Sequence, residues 1–319
     1  MSLPTGDTIG ILADNLRLRN SVLPLARKTA TRWANGLGLP RGGDTVLYTG
    51  MMYQLAPAIA AMGKTQEKIE DSWLTNFVGI GRTVNKVINI SAFLARPARA
   101  MRSYCEQVLV NIAALLREAG VEFGYLYDEE LYSGALIYDL GVDDLFEQHA
   151  RKVAKVFAKY KVKNVITVDP HTTQILRSVY PAVIPGAAWE VKSYLEVLAE
   201  RDLKPARRLD AMVAIHDSCL YARAEKIVQE PRALLARAGG AVLEPANAGK
   251  FTLCCGGPAE SLFPKQAVAR AALRVEQIRR EAENVVTMCP LCLVNLQKAA
   301  PASFGVEDIA VYLGKAYLP

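Results

Sequence analysis

No run of eighteen apolar residues occurs in this chain, so no membrane-spanning helix is expected. The opening Met1-Ser-Leu-Pro-Thr-Gly lacks the basic-then-apolar pattern of a secretory leader. No nucleic-acid motif is present, and aromatic residues do not interleave with basic ones, which argues against a nucleic-acid partner. No cysteine precedes Cys105, and only one CxxC occurs. A structural zinc site is usually built from two such pairs. A disulfide framework is disfavoured too, because the chain is large and shows no leader. Reduced thiols fit a cytoplasmic protein. The net charge of +6 says little alone, and 319 residues with 51% hydrophobic content suffice for one large core or two lobes.

What is present is concentrated late. Five of the six cysteines fall between His216 and Cys292, in His216-Asp217-Ser218-Cys219, Cys254-Cys255-Gly256-Gly257 and Cys289-Pro290-Leu291-Cys292. Ala211–Ile215 and Asn284–Met288 read as short buried parallel strands, each followed by one of these motifs. Phe251–Leu253 reads as a third strand leading into Cys254. Pro290 suits the first turn of a helix, and one helical turn separates Cys289 from Cys292, so both sulfurs can face one point. Gly256 and Gly257 allow a tight turn and close backbone approach. Ligands in open α/β sheets sit beyond the carboxyl ends of the strands, where these thiols would meet. Scattered thiolates of this kind suit an iron–sulfur cluster. Zinc, a redox dithiol and simple burial of small apolar residues are the other readings.

These motifs resemble the CCG cysteine-rich domain, which occurs in the B subunit of heterodisulfide reductase and in iron–sulfur subunits of glycolate and lactate oxidation. Arg223 and Pro231-Arg232 fit that pattern as well. The resemblance implies that Cys219, Cys254, Cys255, Cys289 and Cys292 ligate one non-cubane [4Fe–4S] cluster, with zinc as the alternative metal. It implies an oxidoreductase subunit, active within a complex, that moves electrons to or from a disulfide or thiol-bound sulfur substrate. The implied partners are an iron–sulfur C-type subunit, a flavin-bearing A-type subunit and a lipoyl- or thiol-bearing carrier. Its place would be the cytoplasm, or the membrane through a complex. The alternatives are an electron-transfer subunit of a glycolate- or lactate-oxidising complex and a zinc-binding assembly module. Many relatives carry a ferredoxin-like domain before the first half; without an early cysteine, none is expected here.

The chain also resembles itself. Asn164-Val-Ile-Thr-Val-Asp169-Pro170-His171-Thr172 precedes Asn284-Val-Val-Thr-Met-Cys289-Pro290-Leu291-Cys292 by 120 residues. Met51 and Tyr53 align with Cys219 and Tyr221, and Tyr132-Ser133-Gly134 with Cys254-Cys255-Gly256. The expected fold is therefore α/β, with two pseudo-twofold-related lobes of parallel sheets flanked by helices. The expected divisions are an arm over 1–44, a first CCG-like lobe without cysteine ligands over 45–204, and a second lobe with the cluster motif over 205–319. An insertion of about 45 residues falls near 62–105. Within it, residues 82–102 carry Arg82, Lys86, Arg96, Arg99 and Arg102 and no acid, as in a solvated helix or a docking patch for an acidic partner. Residues 21–37 read as a helix of the arm, and 306–319 as a terminal helix. His171 is a candidate proton-transfer residue oriented by Asp169; in the plainer reading Asp169 simply caps the next helix. His216 and Asp217 are expected to orient the loop before Cys219 and to tune the sulfurs by hydrogen bonding.

Overall fold

The computed structural model describes residues 3–87, 97–209 and 211–319. Two parallel sheets organise it. The first holds β1 (Thr45–Tyr48), β2 (Asn164–Thr167) and β3 (Glu190–Ser193), in the order β1-β2-β3. The second holds β4 (Met212–His216), β5 (Ala241–Leu243), β6 (Asn284–Thr287) and β7 (Gly305–Asp308), in the order β5-β4-β6-β7. The run β1-β2-β3 thus matches β4-β6-β7. Where β5 lies beside β4, the first sheet has isolated bridges, Val46 to Gly124 and Arg41 to Tyr125.

The strands are short and apolar because helices cover both faces of each sheet. Alternate residues enter opposite layers. Val46, Val165, Ala214 and Val285 lie in one apolar cluster; Leu47, Ile166, Ile215 and Val286 lie in the other. Each cluster contains residues of both sheets, so the lobes share their core.

Two hydrogen bonds repeat the symmetry across the seam. Tyr53, after β1, donates to Asp308 Oδ2 at the end of β7, at 2.6 Å. Tyr221, after β4, meets Ser193 Oγ at the end of β3, at 2.7 Å. Asp308 and Ser193 both cap the helices that follow. Asp308 accepts from Ala310 N, and Ser193 forms a capping box with Glu196.

Several local expectations are corrected. Residues 21–37 form only two short helical turns, Arg27–Ala30 and Arg32–Ala34. The expected terminal helix over 306–319 starts only at Ile309, after strand β7, and residues 190–193 form strand β3. Phe251–Leu253 is not a strand. Arg223 donates to Lys250 O and Thr252 O, while Gly249 N donates to Asp217 Oδ2. Phe251 N and Thr252 N donate to Ala248 O and Gly249 O in a tight 3₁₀ turn, so the segment turns where a strand would pair, and β5 takes the edge position. Of the basic stretch 82–102, residues 88–96, with Arg96, lie outside the described residues. Arg82 and Lys86 turn inward to Asp14 on the helix Thr5–Arg19, at 2.9 and 3.6 Å, which leaves less free charge for docking. Among the described residues no helix is long and apolar enough to cross a membrane.

Candidate metal centre

Three segments bring the late cysteines together beyond the ends of β4 and β6. β4 delivers His216 and Asp217, and the buried Asp217 carboxylate then joins two loops. It accepts both Nη1 and Nη2 of Arg232, at 2.8 and 2.9 Å, and Gly249 N at 2.7 Å. Thr252 Oγ1 donates to Asp217 O at 3.0 Å. The Cys219 loop and the strip leading to Cys254 are thereby tied side by side. Arg223 and Arg232 act here as clamps.

The turn after Cys255 needs glycine. Gly256 has φ +83°, and a Cβ there would stand 3.0 Å from Ala267 Cα. A Cβ on Gly257 would stand 2.9 Å from Leu291 Cβ. The turn therefore packs directly on the helix Pro290–Ala299, which carries Cys292 and is preceded by Cys289 as its N-cap residue.

All five thiols are free. Cys219 Sγ lies 3.9 Å from Cys254 Sγ, and Cys255 Sγ lies 3.2 Å from Cys292 Sγ. Both separations far exceed a disulfide bond of about 2.0 Å. A ring nitrogen of His216 and the sulfurs of Cys255 and Cys292 lie within 4.8 Å of one another. Cys255, Cys289 and Cys292 are buried, while Cys219 and Cys254 are half-buried.

The thiols divide into two kinds. Hydrogen bonds from the Cys219 and Cys255 thiols hold Cys254 far below the usual thiol range, and Gly256 N adds a contact at 3.4 Å. Burial would raise Cys289, but hydrogen bonds from Cys292 and His171, with the charge on His171, hold it well below that range. Cys219, Cys255 and Cys292 are pushed up, chiefly because they donate to neighbouring sulfurs, and keep their protons. Thiolates in a helix-terminal, cation-bearing nest are poised to bind metal.

His171 comes from the other lobe. It is buried, and its Nδ1 stands 3.4 Å from Asp139 Oδ2 as an ionic contact without hydrogen-bond alignment. Burial disfavours its charged form, but Asp139 and Cys289 overcome this and hold its pKa well above the usual histidine value. Asp169 does not orient it through the side chain. Its Oδ1 accepts His171 N and Thr172 N at 2.9 and 3.0 Å, so it caps the helix Pro170–Gln174. The carboxylate that faces the ring is Asp139, which sequence comparison between the halves gave no reason to single out. Cys105 stands apart, buried in the helix Arg99–Glu118, and burial raises its thiol.

The donor chemistry fits a thiophilic metal or cluster. The five sulfurs converge from separate segments, the neighbours of Cys254 and Cys289 favour their thiolate forms, and His216 Nε2 is buried with no partner. The 3.9 Å separation alone would suit zinc, since a tetrahedron with Zn–S of about 2.3 Å has an edge of about 3.8 Å.

Comparison with known proteins bears on the choice. A family model for the cysteine-rich domain CCG matches residues 213–297. The chain is 35% identical over 224 residues to an EtfAB:quinone oxidoreductase of Syntrophomonas wolfei, covering 64% of this chain and 31% of the relative. It is 29% identical to a probable iron–sulfur-binding oxidoreductase of Bacillus subtilis, covering 65% of this chain and 30% of the relative. It is also 29% identical to a probable membrane-anchored ferredoxin of Chromohalobacter salexigens, covering 66% and 34%. The chain spans about a third of the length of these curated relatives. Residues 213–297, with five of the six cysteines, are a cysteine-rich domain of the CCG family.

Proposed function

We propose that the chain is an iron–sulfur electron-transfer unit of an oxidoreductase complex, with Cys219, Cys254, Cys255, Cys289 and Cys292 holding a [4Fe–4S] cluster of the non-cubane kind. The observation that carries this is the convergence of the five thiols on one nest, with His171 of the other lobe against Cys289. The relatives described as iron–sulfur proteins favour iron over zinc. A cluster bound there supplies one-electron transfer.

The chain's own residues supply the rest. Asp217, Arg223 and Arg232 hold the two loops in register, so the sulfurs are pre-set before metal arrives. His171 keeps a proton beside Cys289 with Asp139 behind it, a placement suited to protonating a sulfur at the seam. The lobe over residues 45–204 is a sister of the lobe over 205–319 that has no thiolates. The finer reading is heterodisulfide-reductase-B-like, with a disulfide or thiol-bound sulfur as substrate and flavin- and iron–sulfur-bearing subunits as partners. A second reading is electron delivery toward a quinone with no disulfide chemistry, and the name of the Syntrophomonas relative favours it.

Anaerobic purification with iron, acid-labile sulfide and zinc quantitation tests the centre. A brown protein with iron and sulfide supports it, whereas a colourless zinc protein overturns it. Co-purified partners and reduction by disulfide-linked, hydroxy-acid-linked or quinone-linked couples then separate the two readings. His171→Ala should lower disulfide-linked turnover at least ~10-fold and alter its pH profile, as loss of a general acid does; an unchanged rate and profile would remove His171 from the reaction.

A further inference from the structure

Arg274 is the largest side chain with essentially no solvent exposure. A buried guanidinium normally faces a carboxylate, but this one does not. Its Nε donates to His216 Nδ1 at 3.1 Å, and its Nη1 donates to Ala246 O at 2.7 Å and Gln277 Oε1 at 3.0 Å. Its Nη2 has no partner. Asp217, an acid whose charge acts on it, is already bound by Arg232 and Gly249 N.

This geometry dictates where the proton sits on His216. Guanidinium only donates, so Nδ1 must offer its lone pair, and the neutral ring carries its proton on Nε2. Nε2 is buried with no acceptor, and the ring borders Cys255 and Cys292. A protonated nitrogen cannot ligate a metal, but it can donate to sulfur. We propose that Arg274 is a positioning residue that fixes His216 as an N–H donor toward the sulfurs of the nest, and that the pair raises the reduction potential of the centre bound there. His216 is then a sulfur-facing donor and not a sixth ligand.

The direction of the effect follows from charge. Reduction adds negative charge to the centre. An N–H dipole and a nearby cation stabilise the reduced form more than the oxidised one. The inference rests on the reading that the nest holds a redox centre.

Two measurements test it. In potentiometric titration of the anaerobically purified chain, His216→Leu and Arg274→Met should lower the midpoint. A tenfold fall in the reduced-to-oxidised ratio corresponds to about 59 mV for one electron. His216→Gln, which keeps an N–H near the Nε2 position, should recover most of the loss. Iron and sulfide content should stay at the wild-type level throughout. Unchanged midpoints at full iron content overturn the proposal. In the metal-free wild-type chain, ¹⁵N-histidine NMR should show His216 protonated at Nε2; protonation at Nδ1 overturns it whatever the nest binds and however the variants fold. If wild-type protein holds no iron, the proposed function falls, and the NMR result still decides the positioning role.

Discussion

The ends of β1 and β2 and the ends of β4 and β6 occupy matching places in their lobes and carry opposite chemistry. The second lobe gathers sulfur there. The first gathers Met51, Tyr132, Ser133, Asp169 and Thr172, all buried. At Gly50 a Cβ would stand 2.1 Å from Thr172 Oγ1 and 3.1 Å from Ser133 Cβ, so its loops close directly on one another. The loop carboxylates differ too. Glu130 accepts Thr49 N and Gly50 N at 2.5 and 3.2 Å and Tyr125 OH at 2.6 Å. Asp217 instead ties two separate loops through Arg232 and Gly249. A lobe of this kind can therefore close by packing and hydrogen bonds alone, and the sulfurs of the other lobe are not needed for closure. That points to a role in binding.

The comparison breaks most visibly at the sulfurs. Cys255→Ser or Cys292→Ser should abolish iron binding, measured as iron and sulfide per chain, whereas Ser133→Ala or Thr172→Ala in the first lobe should leave it intact. Iron retained in both cysteine variants would mean that the nest is not the centre. Next in size is the seam. At pH 8, where Asp308 is mostly ionised, Tyr53→Phe leaves an oxygen of that buried carboxylate unpaired and should cost ~1.5–3 kcal/mol in urea unfolding, against ~1 kcal/mol for Tyr221→Phe, whose partner is a neutral hydroxyl. Equal costs would argue against the charge-assisted difference between the two bonds.

Titration sharpens the contrast further. Burial raises both Glu130 and Asp308 to about 7. Groups raised above their unfolded values favour the folded state at low pH, and that contribution is lost as pH climbs through 7. Lowering pH from 8 to 6 should stabilise the chain by ~1 kcal/mol per carboxyl. Burial raises Glu260 to about 7 as well, so Glu130→Gln should remove about a third of the combined gain in the melting profile. The smallest effect is at the caps. Asp169→Ala should cost ~1 kcal/mol, the ordinary value of an N-cap, while Asp169→Asn, which can still cap, should cost less.

Much of this was legible in the chain. The strand-then-cysteine motifs locate β4, β6 and the helix Pro290–Ala299, because a buried parallel strand reads as an unbroken apolar run. The matched Asn164 and Asn284 segments locate β2 and β6 as counterparts. What was hidden has physical causes. β3 and β7 are short edge strands with polar residues, so Glu190–Ser193 and Gly305–Asp308 carry little apolar signal. Phe251–Leu253 has strand composition, but a 3₁₀ turn and the distant Arg223 claim its backbone. Asp139 and Arg274 reach the site from distant segments, and no local spacing announces them.

The uneven burial of the five sulfurs gives the nest a back and a window. Cys255, Cys289 and Cys292 are sealed by the helix Pro290–Ala299 and by the other lobe, so nothing reaches them without disturbing the shared core. Cys219 and Cys254 look outward. Traffic with the outside, whether an incoming molecule or a docked redox protein, is thereby confined to one edge of the molecule.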